Sequence, residues 1–579
     1  MSKILYVLKN NAAINELDIR KLDLISEKLI PDNISSNDVK NRLYVDGNFA
    51  YTVINDSGVF PTTDNGVLCG TAILSEGWDR VGSDLPPGDY AVFRINNDFF
   101  ELSANTVGSR TVWYFKDHDY FIASTSQRAI IMYIGEFKFN KKVIPWVLST
   151  GTIGPSDSWD SRIKRLQPSS SVLLNIKLWE EIIENNECLF NVADDGDDIE
   201  KCLRDEIKNA INVQGNSING WVLPLSGGYD SRGILCHMLL NQDQGDSIDT
   251  ITWGVKEEEN RKYGDADIAK RLADNLGVKH KYVLTNTADE SIEKVLERYL
   301  HCSEGRIDHF SGYADGMKIW SDLHASGIKG IIRGDEGFGW VSVSSEKQVR
   351  IFNGIGLCSD YENLKNLHEI YNLEPQNIPC SLKKNESESL EVWRDRIYHG
   401  FRIPTVLAAL SDIKLSYVEQ SNPLLYDNII NIVRSMPDNL REEKFLFRKI
   451  VDDISPDIEY AKFGANAGLA NIFSRSDVVS EIRTTLMNDF PEEVLPKKFR
   501  LDIVSNIVGR SKTSAYKSNI IDLIKKSMPN KLKTVIKKNE LQKSYKVDPY
   551  ILSFRAYILV KTHGLLTKDS NIMRNTTKD

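Results

Sequence analysis

The densest chemistry in the chain lies in one run, Pro224-Leu225-Ser226-Gly227-Gly228-Tyr229-Asp230-Ser231. Two glycines without side chains let an anion approach the backbone closely. If a helix starts here, its first N–H groups lack partners and its dipole favours negative charge. Ser226 and Ser231 add hydroxyl donors. Asp230 can hold a magnesium ion against phosphate oxygens. Together these residues suit a polyphosphate. The run lacks the Gly-x-x-x-x-Gly-Lys-Ser/Thr spacing of a Walker loop. The same residues would also make an ordinary strand-to-helix turn with capping Ser and Asp.

The flanks decide what such a run can do. Before it, Gly220-Trp221-Val222-Leu223 reads as a short buried strand; after it, Arg232 to Leu240 reads as a helix. The alternation continues. Strands are expected at 221–225, 249–255, 279–284 and 327–333, and helices at 231–241, 263–276, 289–300 and 312–325. This rhythm implies a doubly wound parallel sheet, whose ligands bind beyond the carboxyl ends of the strands. Residues 1 to about 180 differ. Short alternating stretches such as Asp89–Ile95 and Thr111–Phe115, separated by Asn, Asp and Gly turns, read as β-rich. A polar, acidic joint starts at Glu184 and leads into a helix near 198–213. From about 390 the chain reads as mostly helical.

A chain of 579 residues exceeds one core, so several domains are expected. The divisions are 1–183, a linker and entry helix at 184–215, and 216–579. The net charge of -9 argues against nucleic acid as the main partner. No apolar run approaches the length of a membrane span, and the start does not read as a signal peptide. Seven cysteines stand singly, without metal or disulfide spacing, which fits a reducing cytoplasm. His237, His280, His301, His309 and His324 also lack ligand spacing. Basic residues crowd the stretch from Lys497 to Lys546, including Lys525, Lys526, Lys531, Lys533, Lys537 and Lys538. They make either a solvated helical face or a docking surface for an acidic peptide.

Taken in order, these motifs resemble the asparagine synthetase family. That resemblance implies an α+β N-terminal Ntn-type β-sandwich of the glutaminase kind, followed by an α/β ATP-pyrophosphatase domain with a helical C-terminal part. It rests in the first part on Gly88–Ala91, Gly108–Tyr114, Phe121–Ser124 and Ile163–Pro168. In the second part it rests on Ser226–Ser231, on Thr252-Trp253-Gly254-Val255, on the helix segment from Asp265 to His280, and on Arg333-Gly334-Asp335-Glu336-Gly337-Phe338-Gly339-Trp340. Asn422–Asp427, Lys444–Arg448 and Glu459–Gly464 extend it further. A glutaminase of that kind needs a cysteine directly after the initiator Met. Here Ser2 stands there, and the first cysteine, Cys69, lies within an apolar stretch. A serine can serve as nucleophile on related folds, but a hydroxyl is harder to activate than a thiol. The expected reading is therefore a first domain that keeps the fold without producing ammonia.

The resemblance implies ATP and Mg2+ as cofactors. It places Leu225, Ser226, Gly227, Gly228, Asp230, Ser231 and Gly334 around pyrophosphate, and Trp253 and Gly254 beside adenine. Asp230 and Asp335 would be the metal ligands. Lys462 would be the cation that steadies the adenylate and the acyl transfer; Tyr460 stands where the family carries an arginine. The loop before Asp335 is shorter than in the family, and Arg333 replaces the base or tyrosine of some relatives; it would neutralise a phosphate or a substrate carboxylate. The implied reaction adenylates a carboxylate, releases pyrophosphate and transfers the acyl group to an amine. With a silent first domain, the first choice is a specialised amide ligase that closes a ring within a peptide, as lasso peptide cyclases do. Asparagine synthesis from ammonia is the alternative, and a non-catalytic ATP-binding scaffold is the reading from another class. Expected partners are the carboxylate and amine substrates, a precursor peptide on the basic C-terminal region, and an accessory protein or second copy.

Overall fold

The computed structural model describes residues 3–190, 198–215, 219–240, 248–285, 290–465, 469–488, 490–509 and 545–576. Ser2, residues 191–197 of the acidic joint and the lysines from 525 to 538 lie outside these residues.

The first half builds two antiparallel sheets. Its strands are β1 (Lys3–Lys9), β2 (Arg42–Asp46), β3 (Phe49–Ile54), β4 (Gly66–Ala72), β5 (Gly88–Ile95), β6 (Phe99–Ala104), β7 (Trp113–Lys116), β8 (Tyr120–Ser124), β9 (Lys164–Arg165), β10 (Ser170–Asn175) and β11 (Glu180–Asn185). One sheet runs β2-β3-β1-β8-β7-β9 and the other β11-β10-β6-β5-β4. β1 shows why they stack. Successive side chains of a strand point to opposite faces, so Ile4, Tyr6 and Leu8 enter the core between the sheets. There Tyr6 stacks on Phe93 of the other sheet, with ring centroids 5.2 Å apart. Leu5 and Val7 face the other way, onto α1 (Glu16–Leu29) and α2 (Gln127–Ile134). Asn15 and Asp18 close the start of α1 with a reciprocal capping box.

The second half is an α/β unit. Its strands are β12 (Trp221–Pro224), β13 (Asp249–Gly254), β14 (Lys279–Leu284), β15 (Gly330–Ile332) and β16 (Glu419–Ser421). They pair in the order β14-β13-β12-β15-β16, every neighbour parallel. Chain direction across the sheet reverses between β12 and β15, which opens a crevice at their carboxyl ends. Four of the five strands and the helices α4 (Ile199–Gly215), α5 (Tyr229–Leu240) and α6 (Asp265–Leu276) fall where the alternation predicts them. The helix expected at 312–325 is instead a 3₁₀ turn, Ser311–Tyr313, and a helix, Lys318–Ala325. Gly316 and Met317 between them take left-handed backbone angles, which end one helix and start another. β16 was not foreseen. Its three residues are polar yet fully buried, so no hydrophobic period marks it.

The two halves share a core. The final helix, Pro549–Thr576, packs on α2 and on Val143–Thr150 of the first half. There Arg128 Nε donates to Asp569 Oδ2 at 2.7 Å between two buried side chains. At the other contact, Asp427 accepts from the backbone N–H groups of Gly88 and Thr106, at 3.0 and 2.7 Å. Asp89 accepts from the backbone and side-chain N–H groups of Asn422. The β4–β5 hairpin is thereby fixed beside β16.

Candidate active site

Ser226–Ser231 sits where the topology requires, at the carboxyl end of β12 and the start of α5. The loop is braced from within. Ser231 Oγ accepts from Ser226 N–H at 2.9 Å, and the two hydroxyls lie 3.0 Å apart. Gly228 N–H donates to Ser226 Oγ at 3.3 Å. Gly227 N–H donates to Asp265 Oδ1 at 2.7 Å, so α6 clasps the loop through the first residue of its first turn. Burial pushes the Asp265 carboxyl up from its ordinary range, and the Gly227 bond opposes that. The N–H of Gly227 therefore faces a protein carboxylate in this state. The first-turn N–H groups of α5 have no partners within the helix and suit an anion.

A second segment covers the loop. Ala461 N–H donates to Gly227 O at 3.0 Å, and Lys462 N–H to Tyr263 O at 2.9 Å. A Cβ on Gly227 would stand 2.4 Å from Ala461 Cβ, so this position must be glycine. Lys462 is exposed, with its ammonium 4.5 Å from the Tyr263 ring centroid. It is one residue from the contact with the phosphate loop. Tyr460, in the position of the family's arginine, stacks on Tyr229 at 3.7 Å between ring centroids. The Arg232 guanidinium lies 3.9 Å from the Tyr460 centroid. At the next strand, Trp253 meets Trp320 edge-on at 5.3 Å. A Cβ on Gly254 would come within 2.5 Å of Ala465 O and Tyr282 Oη, so one wall of the expected adenine region is tightly packed.

The acidic loop meets the phosphate loop across the crevice. A Cβ on Gly334 would lie 2.9 Å from Asp230 Cβ. The ion that joins the loops is Lys444. Its Nζ lies 2.9 and 3.0 Å from the two Asp230 oxygens and 2.8 Å from Glu336 Oε1. Burial opposes the Lys444 charge, but the Glu336 and Asp230 carboxylates outweigh it and push the ammonium up from its ordinary value. Burial, opposed by Lys444 and reinforced by Asp230, pushes the Glu336 carboxyl up. Asp335 is turned toward Arg333, at 3.4 Å. Among the described residues, the carboxylate that shares a cation with Asp230 is thus Glu336. The sequence reading gave no role to Glu336 or Lys444, although Lys444 opens a recognised motif.

The acidic loop is held from behind. Phe338 stacks on Phe447 at 4.1 Å, and Glu443 N–H donates to Trp340 O at 3.0 Å. Gly339 has a φ of +111°, and a Cβ there would strike Arg441 O. Glu443 and Lys444 take left-handed angles of +50° and +61°. Two consecutive non-glycine residues in that region cost on the order of 1 kcal/mol or more each and concentrate at functional sites. This strain turns Lys444 toward the two carboxylates.

The family model for asparagine synthase matches residues 203–314. The matched span contains most of α4, the phosphate loop, α6 and β14, and it ends before the acidic loop. No curated protein matches the chain. Two solved structures share parts of it. One is the glutamine phosphoribosylpyrophosphate amidotransferase from B. subtilis complexed with ADP and GMP. It is 11% identical over 50% of this chain and 66% of its own, with a TM-score of 0.19. The other is a structure of the allosteric regulatory enzyme of purine biosynthesis, 9% identical over 48% of this chain and 80% of its own, with a TM-score of 0.21. At those scores neither bears on the arrangement of this chain. The chain spans just under two thirds of the first.

The Ser226–Ser231 loop and its Asp265 clasp both lie within the matched span. Lys462, Asp335 and Lys444 come from chain beyond the match, brought to the crevice by β15 and by the segments 441–448 and 459–463. In the described part of the basic stretch, Lys497 opens a helix, buried Arg500 donates to the carbonyls of Leu486, Asn488 and Leu495, and Lys546 pairs with Glu362 at 3.0 Å. Among the described residues no helix is long and apolar enough to cross a membrane.

Proposed function

We propose that this chain is an ATP-dependent amide-forming ligase of the asparagine synthetase family that activates a carboxylate as its adenylate and releases pyrophosphate. The observation that carries the reading is the Asp230–Lys444–Glu336 cluster beside the Ser226–Ser231 loop, at the carboxyl ends of β12 and β15. A phosphate chain on the α5 N-terminus would lie against that cluster. The braced serines orient donors toward departing pyrophosphate. Lys444 keeps two carboxylates apart and neutralised until the nucleotide arrives. Lys462, on the segment that covers the loop, supplies mobile positive charge for the α-phosphate and for acyl transfer. A fixed cation at developing negative charge is worth roughly a few kcal/mol in a dry site.

The residues fit magnesium. This ion uses one or two carboxylates and takes its other ligands from phosphates and water. Among the described residues no cluster of three or more metal-ligating side chains exists, so no all-protein cage competes with that arrangement. Asp230 with Glu336 or Asp335 would hold the ion, which when bound would neutralise polyphosphate charge.

The amine, in this proposal, belongs to the substrate. Cys69 is buried inside β4, and burial pushes its thiol far above the ordinary range. It cannot act as the thiolate nucleophile of an ammonia-releasing domain. Ring closure within a peptide, as in lasso peptide cyclases, needs no ammonia and is the finer reading. Arg333, whose buried Nε has no partner among the described residues, is placed to meet a substrate carboxylate. Carboxylate-dependent exchange of labelled pyrophosphate into ATP tests the proposal. Exchange should appear with a peptide bearing an Asp or Glu side chain, and Asp230→Ala should abolish it. Exchange that survives this substitution would reject the site.

A further inference from the structure

The first half holds a cleft of about 430 Å³ between β7, β9, β10, β11 and the 140–161 segment. That size suits a small molecule. Its lining mixes apolar and polar side chains, and the polar ones include Asn140, Lys142, Ser156, Asp157, Ser161 and Arg165.

Arg165 is the anomaly. It is 6% exposed, yet no carboxylate lies within ion-pair distance among the described residues. Its Nη1 donates to Thr405 Oγ1 at 2.9 Å, and its buried Nη2 has no hydrogen-bond partner among the described residues. Most other buried arginines here are matched: Arg94 by Glu101, Arg110 by Glu419, Arg128 by Asp569, Arg306 by Asp412. Burial and the like charge of Arg306 disfavour the Arg165 cation, and the Asp157 carboxylate, beyond ion-pair distance, offsets them only in part. An unpaired buried charge is costly and is retained where something pairs with it. The guanidinium fork is built for planar oxyanions. Lys142 stands at the rim, exposed and without an ion pair among the described residues. Asp157, in the same lining, accepts from Asn140 Nδ2 at 3.3 Å. It sets a limit on the negative charge the cleft accepts and offers an acceptor to a donor group on the ligand.

We propose that this cleft is a binding site for a small molecule carrying one oxyanion, a carboxylate or phosphoryl group, which completes the pairing of Arg165. The site is separate from the nucleotide crevice and does not rest on the ligase reading. Thr405 belongs to the π-helical stretch Tyr398–Leu407, whose His399 donates from Nε2 to Gly337 O of the acidic loop at 2.7 Å. A ligand on Arg165 therefore pulls on an element that reaches the catalytic loop.

The test uses the full chain with its nucleotide site filled by magnesium and α,β-methylene ATP. Inorganic phosphate and acetate are titrated separately, by calorimetry and by thermal midpoint. Saturable binding of either supports the site, and the one that binds tells a phosphoryl from a carboxylate ligand. Arg165→Met should weaken binding at least about ten-fold. Its unliganded midpoint should equal or exceed that of the parent, because an unmatched buried cation is gone. Lys142→Glu, on the surface, should weaken binding several-fold and decides the matter if Arg165→Met does not fold. No binding of either anion, or unchanged affinity in the variants, would overturn the proposal.

Discussion

Replacing Lys444 with Met removes the only charge that stands between Asp230 and Glu336 among the described residues. Both carboxylates now bind the same Nζ, at 2.8–3.0 Å. Without it their nearest oxygens face each other across roughly 6 Å, where two like charges repel by about 3 kcal/mol at an effective dielectric near 20. Removing one partner of a fully buried pair costs about 3–5 kcal/mol. Here Asp230 keeps 32% of its side chain exposed, against 7% for Glu336. Solvent screening therefore places the loss at the low end, about 2–3 kcal/mol. The loss must also depend on pH. Burial already raises the Glu336 carboxyl above its ordinary value of 4.5. Without Lys444 it rises further, so the folded variant binds a proton that the unfolded chain does not. Stability is then gained as pH falls through the folded value toward the unfolded one and lost as pH rises. Thermal midpoints of parent and variant should differ most near about pH 8 and converge toward about pH 5. Adding Glu336→Gln to the Lys444→Met variant should restore much of the loss near about pH 8, since a neutral amide ends the repulsion. A gap that stays constant with pH, or a double variant no more stable than the single one, would refute this account of the cluster.

Lys462→Ala should lower the rate of amide formation about a hundred-fold or more while ATP binding changes little; equal turnover in single-turnover assays would remove Lys462 from the site. Cys69→Ala should leave product formation with the peptide substrate intact, and a loss of glutamine-dependent activity would contradict the silent first domain. Lys414 is buried, and its Nζ donates to Leu410 O at 2.8 Å. Burial, then the Arg333 charge, holds its ammonium down at about 7, against an ordinary 10.5. The unfolded chain binds the extra proton between those values, so this stabilisation is present above the upper one and lost as pH falls through the lower. Lys414→Met should raise the thermal midpoint near about pH 7, by up to about 4 kcal/mol of stability, with the gain vanishing toward about pH 10. A gain that grows with pH would exclude the buried ammonium.

Local patterns carried much of the second half. The Ser226–Ser231 loop, its strand and its helix could be read from residues within about twenty positions of one another. A glycine turn between an apolar strand and a helix start has few other uses. The asparagine synthase match covers the same neighbourhood, 203–314. The β-rich character of the first half was legible from short alternating stretches, but its division into two sheets was not, because β1, β3 and β5 are buried on both faces and carry no full alternation. Where the signal was not local, the reading stopped. β16 is three buried polar residues, bonded to Thr71 and Arg110 from more than 300 positions away. Nothing near Glu419 in the chain announces that.

The sequence by itself determined the residue types at the crevice, the glycines that tight approaches demand, and the strand–helix rhythm that sets them at one end of a parallel sheet. Only the tertiary structure decided which charges meet. It tied Gly227 to Asp265, turned Asp335 toward Arg333, and brought Lys444 from 214 positions away to lie between Asp230 and Glu336. The physical reason is range: propensity and period act within a few residues, whereas an ion pair depends on where separate segments of the chain come to rest.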